Sequence, residues 1–367
     1  MTAYLDYNAT APVRPEALAA MTAALAEPGN ASSAHGPGRR ARRLVEEARV
    51  QVAALAGADP AWVIFTSGGT EANNHALIGL PASHLLVSAG EHDSVLQAAP
   101  AAERIPLTAE GVVDLAVLAA ALARAPKGAL VSVMLANNET GVIQPLAEVT
   151  ALARQAAAWV HCDAVQAAGK IPLDMAALGV DLLSLSAHKL GGPPGVGALV
   201  VNPDLPLKPL LRGGGQERRR RAGTENLPGI AGFGAAAEAA RSGLAEVQEL
   251  AELRDRFERE IKVLAPEAKV FGAGAPRLPN TSCVALAGLS AETQIMALDL
   301  AGVAVSAGSA CSSGKVQPSH VLSAMGAGAE EAGAAIRVSL GWASEAGDID
   351  RLLAAWGELY RRISRAA

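Results

Sequence analysis

From about residue 60 the chain alternates short apolar runs with longer, Ala-rich amphipathic ones. VIFT (63–66) precedes SGGTEANNHALIG, HLLVS (84–88) precedes EHDSVLQAA, and ALVSVMLANN (129–138) precedes LAEVTALARQAAA; WVHCDA, DLLSLSA and GALVV (197–201) follow. Apolar runs of this length, bounded by Gly, Pro and Asn, are the pattern of strands buried on both faces. Strands that alternate with helical patterns predict βαβ units, and so an α/β fold with a mainly parallel sheet. Right-handed crossovers then place the turns after the strands on one rim, where ligands of such sheets collect.

The pattern changes in the last third. An Ala- and Glu-rich segment from Ile230 to about Lys262 predicts a long connecting helix. Beyond it, LPNTSCVALAG, VAVSAG and IRVSLG read as strands, with helices near 291–300 and 346–364. These predict a smaller α+β unit. The Ala-rich stretches have high helix propensity and are read as helix filler rather than low-complexity sequence. A chain of 367 residues suits one large domain and a smaller one.

Composition narrows the function classes. Half the residues are hydrophobic, yet no run of about 18 uncharged apolar residues occurs, so no membrane span is expected. The start, MTAYLDYNATAPVRPEAL, lacks a basic segment followed by an apolar one, so a cytoplasmic location is expected. A net charge of −5 argues against broad nucleic-acid binding. The basic run Arg218 to Arg221 stands beside a Gly-rich turn without interleaved aromatics, so it is read as a small-anion or subunit contact. Three cysteines exclude a dense disulfide framework. Cys162 and Cys283 lie in apolar runs and read as buried thiols, whereas Cys311, in SAGSACSSGKVQPSH, lies on a Gly- and Ser-rich loop as either a surface thiol or a nucleophile.

The candidate chemistry centres on Asp163 and, 26 residues later, Lys189, each closing an apolar run. A buried ion pair without chemistry would explain both. So would pyridoxal phosphate, which needs a lysine for its Schiff base and a carboxylate to keep its pyridine nitrogen protonated. SGGTEANN supports the second reading. It follows a strand and opens a helix, so its backbone amides from Gly69 and the Thr70 hydroxyl form a phosphate site. Ser186 and His188 flank the lysine and add donors. His92, just after a strand, is either a helix N-terminal polar residue or an imidazole that stacks on a ring and moves protons. Gln166 is within reach of the cofactor's phenolic oxygen, and Asn138 ends a strand on the same rim. Arg337, in IRVSLG, suits a bidentate clamp on a carboxylate, or an ordinary surface ion pair.

Taken together, YLDYNATAPV, FTSGGTEANN, ANNETG, HCDAVQAAGK, SLSAHKLGGPPGVG, LLRGGGQERRRRAGTEN, RLPNTS, SAGSACSSG, PSHVLSAMG and IRVSLG resemble the cysteine desulfurases. These are the NifS/IscS-like class V aminotransferases of pyridoxal phosphate fold type I. The resemblance runs over nearly the whole chain, and the cysteine loop is specific within the superfamily. It implies a large domain over 15–262 with a mainly parallel seven-stranded sheet. A smaller α+β domain would be formed by 1–14 and 263–367 and carry the cysteine loop.

The resemblance also implies roles. Lys189 would bind the cofactor and, with His92, move protons. Gly69, Thr70, Asp163, Gln166, Ser186 and His188 would hold the cofactor. Asn30, Asn138 and Arg337 would bind the substrate, L-cysteine. Cys311 would take its sulfur as a persulfide and release L-alanine, for onward delivery to an acceptor protein in iron–sulfur cluster assembly or thiolation. Thr224, in RAGTEN, would reach the phosphate site of the neighbouring subunit of a homodimer. Three features depart from the family: Ala187 where glycine is common, Pro194 where lysine is usual, and a longer arginine run. The chain also stops at RRISRAA, short of the extension with which some relatives contact an iron–sulfur scaffold, which leaves that docking open. An aminotransferase would have no need of Cys311. A selenocysteine lyase could dispense with it, and a silent assembly subunit would have little reason to keep both Lys189 and Arg337.

Overall fold

The computed structural model describes residues 2–308 and 319–364. Its main sheet has seven strands, in the order Val63–Thr66, Gly197–Val201, Leu182–Ser186, Trp159–Asp163, Leu130–Ser132, Leu85–Ser88 and Glu103–Ile105. The pairs among the last five are all parallel. Gly197–Val201 instead runs antiparallel to both its neighbours. Only Leu190 to Val196 separate it from the turn after Leu182–Ser186. A parallel connection needs a dozen or more residues, so this short Gly/Pro link can only double back.

The strand predicted over 129–138 forms its ladder at Leu130–Ser132 alone. The rest is bent by the NNETG turn: Asn137 Oδ1 accepts the amides of Glu139 and Thr140, and Gly141 takes φ 76°. An asparagine side chain that caps its own turn competes with the ladder.

The sheet packs against helices Gly36–Ala56 and Leu227–Ser242 on one side, with Val45, Val52, Phe65 and Phe233 in the core. Helix Gly69–Gly79 covers the other face through Ala72 and Ala76. The connecting helix is two helices, Leu227–Ser242 and Leu244–Leu264, broken at Gly243. Glycine there has the lowest helix propensity of any residue but proline.

A second core lies around Leu5, Phe257, Ile336, Ile349 and Trp356. Thr281–Ala285 and Ala335–Ser339 pair antiparallel at its centre, and helix Ala346–Ser364 packs on it. The N-terminal residues cross to this unit, since Ala3–Tyr4 pairs with Val303–Ala304 and Asp6 bridges to Ser339. That crossing matters for the site, because it lays residues 6–10 between the two cores. No helix among the described residues is long and apolar enough to cross a membrane.

Candidate active site

A cavity of about 530 Å³ opens where strand ends of the main sheet meet the second unit. Asp163 is the last residue of its strand and is buried. Its Oδ1 accepts the Val165 amide at 2.9 Å, and its Oδ2 accepts Asn73 Nδ2 at 2.7 Å. Lys189 ends the 3-10 turn that follows Leu182–Ser186, so two adjacent strands deliver the acid and the amine. Lys189 Nζ donates to the carbonyls of Asn8 at 2.6 Å and Ala9 at 2.8 Å. Burial, then the charge of Arg337, hold this amine down at about 8, against the opposing pull of Asp6 and Asp163. The bland reading, a direct Lys–Asp ion pair, is not what forms.

The other predicted residues divide clearly. Gly69, Thr70, His92, Gln166, Ser186 and His188 line this cavity, as do Asn138 and Arg337. His92 caps the short helix Asp93–Leu96, accepting the Ser94 amide, as expected of a helix N-terminal residue, and it also lines the cavity. His188 is pushed down to about 4 by burial and by Lys189, which keeps it uncharged at neutral pH. Arg337 donates to Asp6 Oδ1 at 2.7 Å and to the Asn138 carbonyl at 3.2 Å, while its buried Nε has no partner. Asn30 is not among the lining residues and instead braces its own turn, its Oδ1 accepting the Ser32 amide. Thr224 is exposed and lines a separate cavity with Ser67 and Arg221. Cys311 lies outside the described residues, but Gly308 lines the main cavity. Gly308 and Ser319, on either side of the segment that carries Cys311, both lie against Glu139: a Cβ at Gly308 would come within 2.8 Å of its carboxylate, and Ser319 Oγ donates to it.

Several side chains that line or brace the cavity escaped the sequence reading. Asp6 and Asn8 sit in YLDYNATAP, whose polar residues carry no periodic signal. Lys170 lies four residues after Gln166 in the turn that follows Trp159–Asp163; it is buried and donates to Gln166 Oε1 at 2.6 Å and Asn8 Oδ1 at 2.8 Å. Burial and the nearby Lys189 lower its pKa well below the usual range. Glu139, raised by burial, and His320 also line the cavity. Cys162 and Cys283 are buried with raised thiol pKa values, as inert core cysteines should be. The arginine run does not present a free anion site throughout, because Arg221 forms a bidentate pair with Glu71.

Pyridoxal phosphate fits these residues. Helix Gly69–Gly79 begins without a side-chain cap, which leaves its first-turn amides for an anion beside Thr70 and Ser186. A Cβ at Gly69 would come within 3.0 Å of Val165 Cγ2, so glycine keeps that end open. A carboxylate and a partly neutral lysine face the same cavity, and the unpartnered Arg337 Nε leaves a donor in reserve for an acidic ligand.

Comparison with known proteins agrees. Residues 3–352 match the family model described as aminotransferase class-V. A cysteine desulfurase of Cereibacter sphaeroides is 46% identical over 95% of this chain and 93% of its own. The cysteine desulfurase IscS of Dictyoglomus turgidum is 44% identical, over 92% and 89%. The X-ray structure of a NifS-like protein from Rickettsia africae superposes with a TM-score of 0.92 at 34% identity, over 98% of this chain and all of that one. With the strand-end lysine and acid in one cavity and similarity spanning nearly the full length, the chain belongs to the class-V aminotransferases, in their cysteine desulfurase family.

Proposed function

We propose that this protein is a pyridoxal phosphate-dependent cysteine desulfurase that converts L-cysteine to L-alanine and takes the sulfur onto Cys311. The observation that carries the reading is convergence: Lys189, Asp163, His92 and Arg337 line one cavity, and Gly308, which leads into the segment of Cys311, lines it too. When bound, pyridoxal phosphate supplies an electron sink for the substrate's α-carbon.

The chain's own residues do the rest. Thr70, Ser186, His188 and the amides from Gly69 would hold the phosphate. Asp163 would keep the ring nitrogen protonated, and Gln166 would donate to the phenolic oxygen. Lys189, held at about 8, has a neutral fraction near physiological pH, so it can hold the cofactor and later take the proton from the substrate's α-carbon. Arg337, braced by Asp6, and Asn138 orient the substrate carboxylate. Asn30 belongs to this substrate set by family resemblance alone.

The Cys311 thiolate then attacks the substrate's sulfur. A sulfur–sulfur bond forms as the carbon–sulfur bond breaks, and the bonding pair stays with carbon, where protonation completes alanine. One L-cysteine and one Cys311 thiol give one L-alanine and one Cys311 persulfide, with no outside oxidant. His92 assists the proton transfers. Thr224, exposed on its own chain, is suited to reach the phosphate site of a second copy, which makes the working unit a homodimer. A cytoplasmic sulfur-acceptor protein then receives the sulfur.

The test is L-alanine release from L-cysteine and a thiol reductant, for the cofactor-loaded wild type and Cys311→Ala. Alanine from the first and almost none from the second is expected. No alanine from either, with the cofactor bound, would overturn the reading. Running both on selenocysteine separates a lyase, since only a cysteine-dependent reaction should lose activity with Cys311.

A further inference from the structure

We infer that Asn73 and Ser94 form a hydrogen-bonded strut that joins Asp163 to His92 and fixes which nitrogen of His92 carries its proton. This deepens the desulfurase reading and rests on it for its catalytic consequence. Asn73 Nδ2 lies 2.7 Å from Asp163 Oδ2 and 2.8 Å from Ser94 Oγ. Ser94 Oγ lies 2.8 Å from His92 Nδ1, and the Ser94 amide lies 3.1 Å from the same nitrogen. Asn74 Nδ2 donates to the Ser94 carbonyl at 3.0 Å, so one helix grips Ser94 with two successive asparagines.

Donor and acceptor roles in this chain follow in order from the carboxylate. Asp163 can only accept, so Asn73 must turn its NH₂ toward it; the opposite flip would set two acceptors 2.7 Å apart. The second N–H of Asn73 then goes to Ser94 Oγ. The serine hydroxyl must accept there, and its own hydrogen is left for His92 Nδ1. The Ser94 amide, which cannot reverse, points at that nitrogen as well. A ring nitrogen that accepts two donors carries no hydrogen, so in neutral His92 the proton sits on Nε2. The same orientation explains why Asn73 Oδ1, although buried, has no partner. Both Asn73 and Ser94 line the cavity beside His92.

The consequence is a division of labour. Neutral His92 enters the reaction as a donor from Nε2, and proton abstraction falls to Lys189. Ser94 and Asn73 are positioning residues: they act through His92 and Asp163 and hold the imidazole and the carboxylate in a fixed relation across the cofactor site.

The test is ¹⁵N NMR of the full-length, cofactor-loaded protein labelled at histidine, with the His92 signals identified by their loss in His92→Gln. A protonated Nε2 and a bare, hydrogen-bonded Nδ1 are expected in the wild type and in Ser94→Thr, which keeps the hydroxyl. In Ser94→Ala, which loses one of the two donors, the His92 signals should move toward a mixture of tautomers. There kcat for alanine release should fall about tenfold with KM little changed, while Ser94→Thr recovers it. A proton on Nδ1 in the wild type, or Ser94→Ala signals identical to wild type, would overturn the strut. The tautomer is read without turnover. A wrong tautomer with intact alanine release therefore sinks the strut alone, and a correct tautomer without alanine release sinks the desulfurase reading alone.

Discussion

The backbone carbonyl of Asn8 accepts Lys189 Nζ at 2.6 Å and, with the Ala9 carbonyl at 2.8 Å, ties the N-terminal segment to that amine. The same carbonyl accepts Gln166 Nε2 at 2.9 Å. Lys170 completes the arrangement from behind, donating to Gln166 Oε1 and to Asn8 Oδ1. Its Nζ donates to these two neutral amide oxygens, while burial and Lys189 disfavour its charge. Because a lysine can donate to both oxygens at once, it sets Gln166 with its N–H groups toward Asn8 and the cavity.

Lys170→Met should therefore weaken the site more than the volume change suggests. Asn8 Oδ1 keeps Asn280, but Gln166 Oε1 loses its described partner in a buried position. An orphaned buried acceptor costs about 1–3 kcal/mol. Denaturant unfolding of the cofactor-loaded protein should show a loss of that size, together with faster cofactor dissociation. Stability and dissociation both unchanged would show that Lys170 does not orient Gln166.

In the proposed reaction Lys189 governs the uptake of cofactor, because only the unprotonated amine can bond to its carbonyl carbon. Its value of about 8 lies below that of an ordinary lysine. The rate of pyridoxal phosphate uptake by the apoprotein, followed by the visible absorbance of the bound cofactor, should rise with pH and level off above about 8. Arg337→Gln removes a positive neighbour, so the midpoint should move upward. A profile still climbing near pH 10 in the wild type would contradict the environment described for Lys189.

Acid stability should reflect His161, buried in the main sheet between Ser132 Oγ and Ser184 Oγ. Burial lowers it to about 4, from about 6.5 in the unfolded chain. Between those values the unfolded state binds the extra proton, so stability rises with pH across the window and falls as pH drops from 6.5 toward 4. The full effect is about 3 kcal/mol. Chemical denaturation of wild type and His161→Gln at pH 7 and pH 4.5 should show a smaller acid loss in the variant. An equal loss in both would assign the acid limb to other groups.

The arginine run carries strain. Glu217, Arg218 and Arg219 have φ of 43°, 55° and 66°, a left-handed conformation that costs roughly 1 kcal/mol per non-glycine residue. Glu217 holds it in place through a buried bidentate pair with Arg49, at 2.7 and 2.9 Å, and by accepting the Phe65 amide. Glu217→Gln should lower stability by about 3–5 kcal/mol, the cost of breaking a buried pair. Arg219→Gly should leave stability unchanged or raise it slightly, as strain relief offsets the added freedom of the unfolded chain. Thermal melts of the two variants separate these effects, and a marked loss in Arg219→Gly would mean that its side chain, not its backbone, matters there.

Much of the fold was legible because burial on both faces writes a plain apolar run. VIFT, WVHCD, LLSLS and GALVV are all strands within a residue or so of the expected ends. The antiparallel turn of GALVV was not legible from hydrophobicity, which is blind to strand direction; only the length of the GGPPGV link decides it. Residues 133–138 read as strand because Val133, Met134 and Leu135 are apolar, yet the side chain of Asn137 claims the backbone there.

The sequence by itself determined the α/β class, the strand-end positions of Asp163 and Lys189, the glycine that opens helix Gly69–Gly79, and the membership of most cavity residues. Each is a local property: an apolar run ends, a turn needs glycine, a motif keeps its register. Only the tertiary structure decided the partners. Asn8 meets Lys170 and Lys189 from more than 150 residues away, Asp6 meets Arg337, and Asn73 links Asp163 to Ser94. Hydrogen bonds depend on where atoms stand after the cores have packed, and a polar residue leaves no periodic trace in a sequence to announce which neighbour it will find.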